Sequence, residues 1–214
     1  MITGIKRKRG NELQREQRRQ TNEAIISAAV KLFSAKLYNE VSVDDLVREA
    51  GVSRVSFYAH FDGKLSLAFA IWNQSISEWD EIYDLLATLT PGNVAEASDW
   101  IERLRAKYRQ GGLVPSLFAQ VDLFEDEFRK RLQAVRDATI DRLASRGAPG
   151  FTRTQGDSVQ ARLARAHAHL IFQRIDQLCH DLVLCAPVAY ADALTRMAAL
   201  ELAAFLRGAD YPAG

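Results

Sequence analysis

Residues 42–61, SVDDLVREAGVSRVSFYAHF, carry the strongest signal in this chain. Ser42 has the hydroxyl of an N-cap, and Asp45 follows three residues later, where its carboxylate can accept from amides that the first turn of a helix leaves unbonded. Val43, Leu46, Val47 and Ala50 then recur at three- and four-residue spacing on one face. Gly51 comes next, where a helix favours a left-handed C-cap, so the first helix ends there. Val52 pins the turn, Ser53 caps a second helix, and Phe57 and Phe61 lie one turn apart on its inward face. The opposite face carries Arg54, Ser56, Tyr58 and His60, side chains that donate to phosphates and base edges on a helix thin enough to enter a major groove. Two short helices about a tight turn, one with a polar outer face, make a helix-turn-helix.

On either side of this stretch the spacing extends into a longer pattern. Leu32-Phe33, Ser42-Val43-Asp44-Asp45-Leu46, Ala50-Gly51-Val52-Ser53, Phe57-Tyr58-Ala59-His60-Phe61 and Lys64 follow one another in register. Over residues 18–70, about a quarter of the chain, the sequence resembles the DNA-binding domain of TetR-type transcriptional regulators. It departs at Leu37, where that family usually has Gly, and at Arg54-Val55, which replace a Lys-Gly or similar small pair. Val55 thereby sets an apolar group where a thymine methyl can be met. The resemblance implies that Thr21 faces a phosphate and that Tyr58 and Lys64 anchor the backbone. Ser42, Ser53, Arg54, Val55, Ser56 and His60 complete the expected DNA contacts. Lys64 opens a helix, an end that disfavours cations; a bound phosphate would remove that conflict.

The remainder of the chain reads as helices with sharp punctuation. Residues 1–20 hold Lys6, Arg7, Lys8, Arg9, Arg15, Arg18 and Arg19 against Glu12 and Glu16, a net charge of +5. Residues 1–17 are therefore expected as an arm, disordered alone and engaged on phosphates or in the minor groove when DNA is bound. A first helix is expected from about Arg18 to Lys36, with Ile25, Ile26, Ala29, Val30, Leu32 and Phe33 as its stripe. A long helix follows from Lys64 to Pro91-Gly92, through Trp72, Ile76 and Trp79. Asn93 caps another that ends at Gly111-Gly112. Residues 116–146 are amphipathic with a break near Phe124, 147–156 form a loop, and two final helices cover 158 to about 184 and 188 to about 207. No period-two alternation occurs, so the expected fold is all-α. It comprises a three-helix DNA-binding domain over 18–65, joined by the long helix to a helical domain over 66–214.

Composition bounds the remaining possibilities. The 214 residues are 48% hydrophobic and 26% charged with a net charge of +1, enough for one or two domains with a core. No apolar run approaches the ~20 residues that span a bilayer, and none follows the N-terminal basic cluster, so a cytoplasmic protein without membrane contact is expected. Cys179 and Cys185 suit neither a disulfide framework nor a zinc motif. There is no Gly-rich phosphate loop, no G-x-S-x-G and no H-E-x-x-H, so no catalytic residue, cofactor or metal is assigned. Glu125-Asp126-Glu127 reads as a solvated acidic patch. His167 and His169, two apart, point to opposite sides of a helix.

The family resemblance supplies the rest. It implies that the helices over 158–207 pair with their copies in a homodimer, as two half-sites one DNA turn or a multiple apart require, and that the operator is palindromic. It further implies a small-molecule effector pocket, for which Trp100, Phe118, Phe124, His167 and Phe172 are candidates. Three functions compete: a ligand-responsive regulator, most simply a repressor; a helix-turn-helix protein governed by a protein partner or acting in nucleoid or division control; and an enzyme or carrier with a vestigial helix-turn-helix. The basic arm and the intact Ala50-Gly51-Val52-Ser53 turn speak against the third.

Overall fold

Caps and breakers along the chain set the helix boundaries. The computed structural model describes residues 2–112, 114–184 and 189–208, with side chains described except at 2–11, 75–78 and 184, and every regular element among them is helical. α1 (Ile2–Ala35) leads through a 3-10 turn (Tyr38–Glu40) to α2 (Val43–Ala50), α3 (Arg54–Tyr58) and α4 (Lys64–Asp84). A second 3-10 turn (Leu85–Thr88) precedes α5 (Val94–Gln110), α6 (Val114–Phe124) and α7 (Asp126–Ser145). A third (Phe151–Thr154) precedes α8 (Val159–Leu184) and α9 (Ala191–Arg207).

Several expected boundaries move. The helix expected to begin near Arg18 runs back to Ile2, so residues 2–17 are helical and not the disordered arm read from their charge. The physical reason lies in residues 11–20, NELQREQRRQ, which are rich in straight-chain helix formers. Arg19 also pairs with Glu16 at 2.6 Å and Glu23 at 2.5 Å, one turn to either side. The side chains of Lys6, Arg7, Lys8, Arg9 and Ile76, and residues Cys185 and Val188, lie outside the described residues. The expected break near Phe124 falls at Glu125, between α6 and α7. The 147–156 loop contains the 3-10 turn, with Phe151 buried.

The chain divides into two compact units, residues 1–74 with 117–128 and residues 75–116 with 129–214. This differs from the division expected at residue 65, because the start of α4 and a piece of α6 and α7 belong with the helix-turn-helix. Aromatic burial accounts for it. In the first unit Phe128, 1% exposed, meets Trp72 at 4.7 Å, Phe69 at 5.4 Å and Phe118 at 5.8 Å between ring centroids. Ile25, Ala29, Phe33, Leu46, Phe57, Phe61, Leu67 and Val121 fill the rest of this core.

The second unit has its own core. Trp100, Ile101 and Leu104 of α5 pack with Ile140, Leu143, Phe172, Ile175, Leu202 and Phe205. Alanines at 168, 198, 199 and 203 bring the helix backbones close. Gly150 has φ +78°, and a Cβ there would stand 2.5 Å from the Phe205 carbonyl oxygen, so the turn lies directly against α9. Ion pairs fasten the surface: Arg142 donates at 2.8 Å to both Asp84 and Asp80, and Arg165 to Asp137 at 2.9 Å and Asp141 at 2.7 Å.

Candidate nucleic-acid interface

The turn is built from the residues that announced it. Ser42 Oγ accepts from the Asp45 amide at 3.1 Å while Asp45 Oδ2 accepts from the Ser42 amide at 3.0 Å, a complete capping box. Gly51 ends α2 at φ +66°, its amide donating back to α2 carbonyls. Ser53 Oγ accepts from the Ser56 amide at 3.0 Å and starts α3. Phe57 is fully buried and Phe61 nearly so, with ring centroids 5.9 Å apart, and they set which side of α3 faces out.

That outer side carries Arg54, Val55 and Tyr58. Val55 is 81% exposed, an unusual place for a β-branched apolar side chain, and Tyr58 is 53% exposed with its ring edge-on to Phe57. Arg54 lies against Asp44 of α2: its Nε donates to Oδ1 at 2.5 Å and its Nη2 to Oδ2. His60 is half-buried, and burial together with the charge of Arg18 lowers its pKa.

Other expected contact residues have partners inside the protein. Thr21 Oγ1 donates to the Gln17 carbonyl at 2.9 Å. The Ser42 hydroxyl proton goes to Asp45 Oδ2 at 2.6 Å. Lys64 Nζ donates to the Tyr38 carbonyl at 2.9 Å and sits 4.6 Å from the centre of the Tyr38 ring, with its pKa lowered by burial. A protein carbonyl and a ring face thus answer the conflict of a cation at a helix start, which the sequence left to a phosphate.

Residues that the sequence did not single out complete the unit. Asp44 holds Arg54. Tyr38 receives Lys64, donates its amide to Gln120 Oε1 at 2.8 Å and its hydroxyl to Glu125 Oε1 at 2.9 Å. Glu125 is therefore a bonded residue of the first unit and not part of a solvated patch, because its side chain meets a donor 87 residues away in sequence. The one local signal for these partners was the opposite charge of Asp44 and Arg54 across the turn.

The five residues read as an effector pocket are divided between the two units. Phe118 belongs to the ring cluster of the first unit, and Phe124 is 50% exposed. In the second unit, Trp100 and Phe172 both pack on Tyr83, at 5.7 and 5.0 Å, whereas His167 faces Glu201 at 3.5 Å and Phe205. Nearby the Tyr83 and Tyr108 hydroxyls donate to Asp176 Oδ1 at 2.6 and 3.4 Å, and Arg136 lies 3.6 Å from the same carboxylate, whose pKa burial raises. His169 turns to Asp137 at 3.0 Å. Cys179 is buried, its thiol pKa pushed up to about 12 by burial. Among the described residues no group of three or more His, Cys, Asp or Glu could hold a metal, and no helix is long and apolar enough to cross a membrane.

Comparison with known proteins bears on the same stretch. Residues 25–71 match the family described as bacterial regulatory proteins, tetR family. An HTH-type transcriptional regulator in the lacX 3′ region of Lactococcus lactis subsp. lactis is 26% identical over 156 residues, 70% of this chain and 78% of that protein. The HTH-type transcriptional regulator EthR of Mycolicibacterium smegmatis is 32% identical over 74 residues, 35% of this chain and 34% of its own. The HTH-type transcriptional activator FasR of the same organism is 33% identical over 69 residues, 32% of this chain and 30% of its own. The last two similarities span about a third of each relative.

Proposed function

Since the chain is a DNA-binding transcriptional regulator carrying the TetR-family helix-turn-helix, we propose that it acts in the cytoplasm as a homodimeric, ligand-responsive repressor on a palindromic operator, and has no catalytic activity. The observation that carries sequence-specific binding is the outer face of α3. Arg54, Val55 and Tyr58 stand in solvent on a helix whose buried Phe57 leaves it no other orientation. Tyr58 and Lys64 serve as phosphate anchors in this reading, with Lys64 giving up the Tyr38 carbonyl. Thr21, Ser42, Ser53, Ser56 and His60 line the approach. The basic residues near the start of α1 add charge for the backbone.

The dimer is supported by apolar side chains left in solvent on the last two helices. Val159, Leu163 and Leu170 of α8 and Leu194, Met197 and Leu200 of α9 are all exposed, although isolated domains seldom leave such a stripe open. An effector is assigned to the second unit around Tyr83, where aromatic rings surround the convergent Asp176, Tyr83 and Tyr108. The near-complete burial of Trp100 and Phe172 favours the second reading, control by a protein partner without a small ligand.

Selection of bound duplexes from a random pool at near-physiological salt tests the proposal. Recovery of a palindrome is expected, with affinity falling steeply with salt. Each neutralised phosphate contributes a slope of about −0.9 in the logarithm of affinity against the logarithm of salt. Bulk affinity with no enriched sequence would overturn it. The recovered duplex then serves to screen small molecules for loss of binding, and a screen without effect would favour the protein-partner reading.

A further inference from the structure

The contact between Arg54 and Asp44 bears on which base the reading helix meets. Arg54 is the first residue of α3 and Asp44 the second of α2, so the pair bridges the two arms of the turn on its outer side. Both side chains remain open to solvent, 63% and 49% exposed. The carboxylate takes Nε and Nη2, the side edge of the guanidinium. A guanidinium has five N–H donors fixed in one plane. With the side edge occupied, its far edge still offers two parallel N–H groups, one on Nη1 and one on Nη2.

Two parallel donors need two adjacent acceptors. In the major groove only guanine presents that pattern, through N7 and O6. Adenine pairs an acceptor with a donor, thymine an acceptor with a methyl, and cytosine shows a donor. The adjacent carboxylate makes the same Arg54 a poor phosphate anchor, because its charge offsets that of the guanidinium and repels the backbone. Holding the side chain in one plane also removes part of the ordering cost of recognition.

We propose that Asp44 is a positioning residue for base recognition, holding Arg54 so that its far edge reads a guanine in the major groove of each operator half-site. This rests on the reading of the chain as a sequence-specific regulator. Asp44 touches no base in this arrangement; it specifies through Arg54.

The experiment uses the full chain and the duplex recovered from the random pool, together with a panel carrying every base pair at each position. Wild type is expected to show one guanine per half-site whose replacement weakens binding roughly 5- to 150-fold. R54A should lose that discrimination. D44N, which keeps the side-chain size but cannot accept through both oxygens, should lose most of it at the same position only. Its affinity for unrelated duplex should be equal or greater, with a salt slope equal or steeper because the freed guanidinium can meet a phosphate. The double variant D44N/R54A should be no worse there than R54A, as expected if the two act as one unit. A melting curve for D44N like that of wild type separates the effect from misfolding. Undiminished discrimination in D44N would overturn the proposal, as would a palindrome in which no guanine depends on Arg54. A wild type that selects no sequence at all would bring down the regulator reading and this proposal together.

Discussion

At the residue scale, the proposed interface consists of side chains that have a partner in the protein and are assigned a second one on DNA. Lys64 and Arg54 already hold acceptors in the free chain, so under the proposed contacts binding would exchange bonds and not simply add them. Tyr58 stands out by its exposure, and removing its hydroxyl costs about one hydrogen bond. Tyr58→Phe should therefore weaken binding about five-fold on operator and unrelated duplex alike, without lowering the melting temperature, as a fluorescence titration and a melt would record. Asp45 gives a prediction in pH. Hydrogen bonds from the Ser42 side chain and backbone lower its pKa, so its stabilising effect is full above the unfolded value near 4. That effect is lost as pH falls through the lower folded value. The gap in melting temperature between wild type and D45N should be constant well above the unfolded Asp value near 4 and narrow as pH falls below it.

At the element scale, the turn depends on a few conformational requirements. Gly51 holds φ +66°, and a Cβ added there would meet no atom within 4 Å, so Gly51→Ala carries a backbone cost and no steric one. A loss of about 1–2 kcal/mol is expected in denaturant titration. The residues 117–128 make a second case. Phe128 lies far along the chain from the helix-turn-helix yet fills the core of the unit that contains it. Phe128→Ala should cost about 3–5 kcal/mol. Hydrogen exchange should locate the loss, with amides near Ile25 and Leu46 exchanging faster than those near Ile101 and Leu104.

At the scale of the whole molecule, recognition of a palindrome depends on a pair of reading heads. Met197, 63% exposed on α9, sits among Leu194, Leu200 and Leu178 in an open groove. Met197→Glu would set a charge in the face assigned to the partner copy. Sedimentation should show a monomer that melts like wild type does under conditions where it is monomeric. Operator affinity should fall by about 100-fold or more as the second half-site loses its effective concentration. A variant that stays dimeric would move the interface elsewhere.

Local chemistry made part of this molecule legible in its residues alone. The capping box of Ser42 and Asp45, the left-handed Gly51 and the inward Phe57 and Phe61 each depend on neighbours within about one turn, so spacing locates them. The all-helical fold and the break near Phe124 were legible for the same reason. Contacts across long separations emerged only from folding. Lys64 meets the carbonyl and ring of Tyr38, Tyr38 meets Glu125, and 117–128 joins the DNA-binding unit, contacts that no periodicity encodes. The effector candidates divide between the two units for that reason too, since an aromatic stripe shows that a residue is buried but not which core receives it. The place of Arg54 on the outer side of α3 was legible from spacing, whereas its pairing with Asp44 emerged only when the two helices folded.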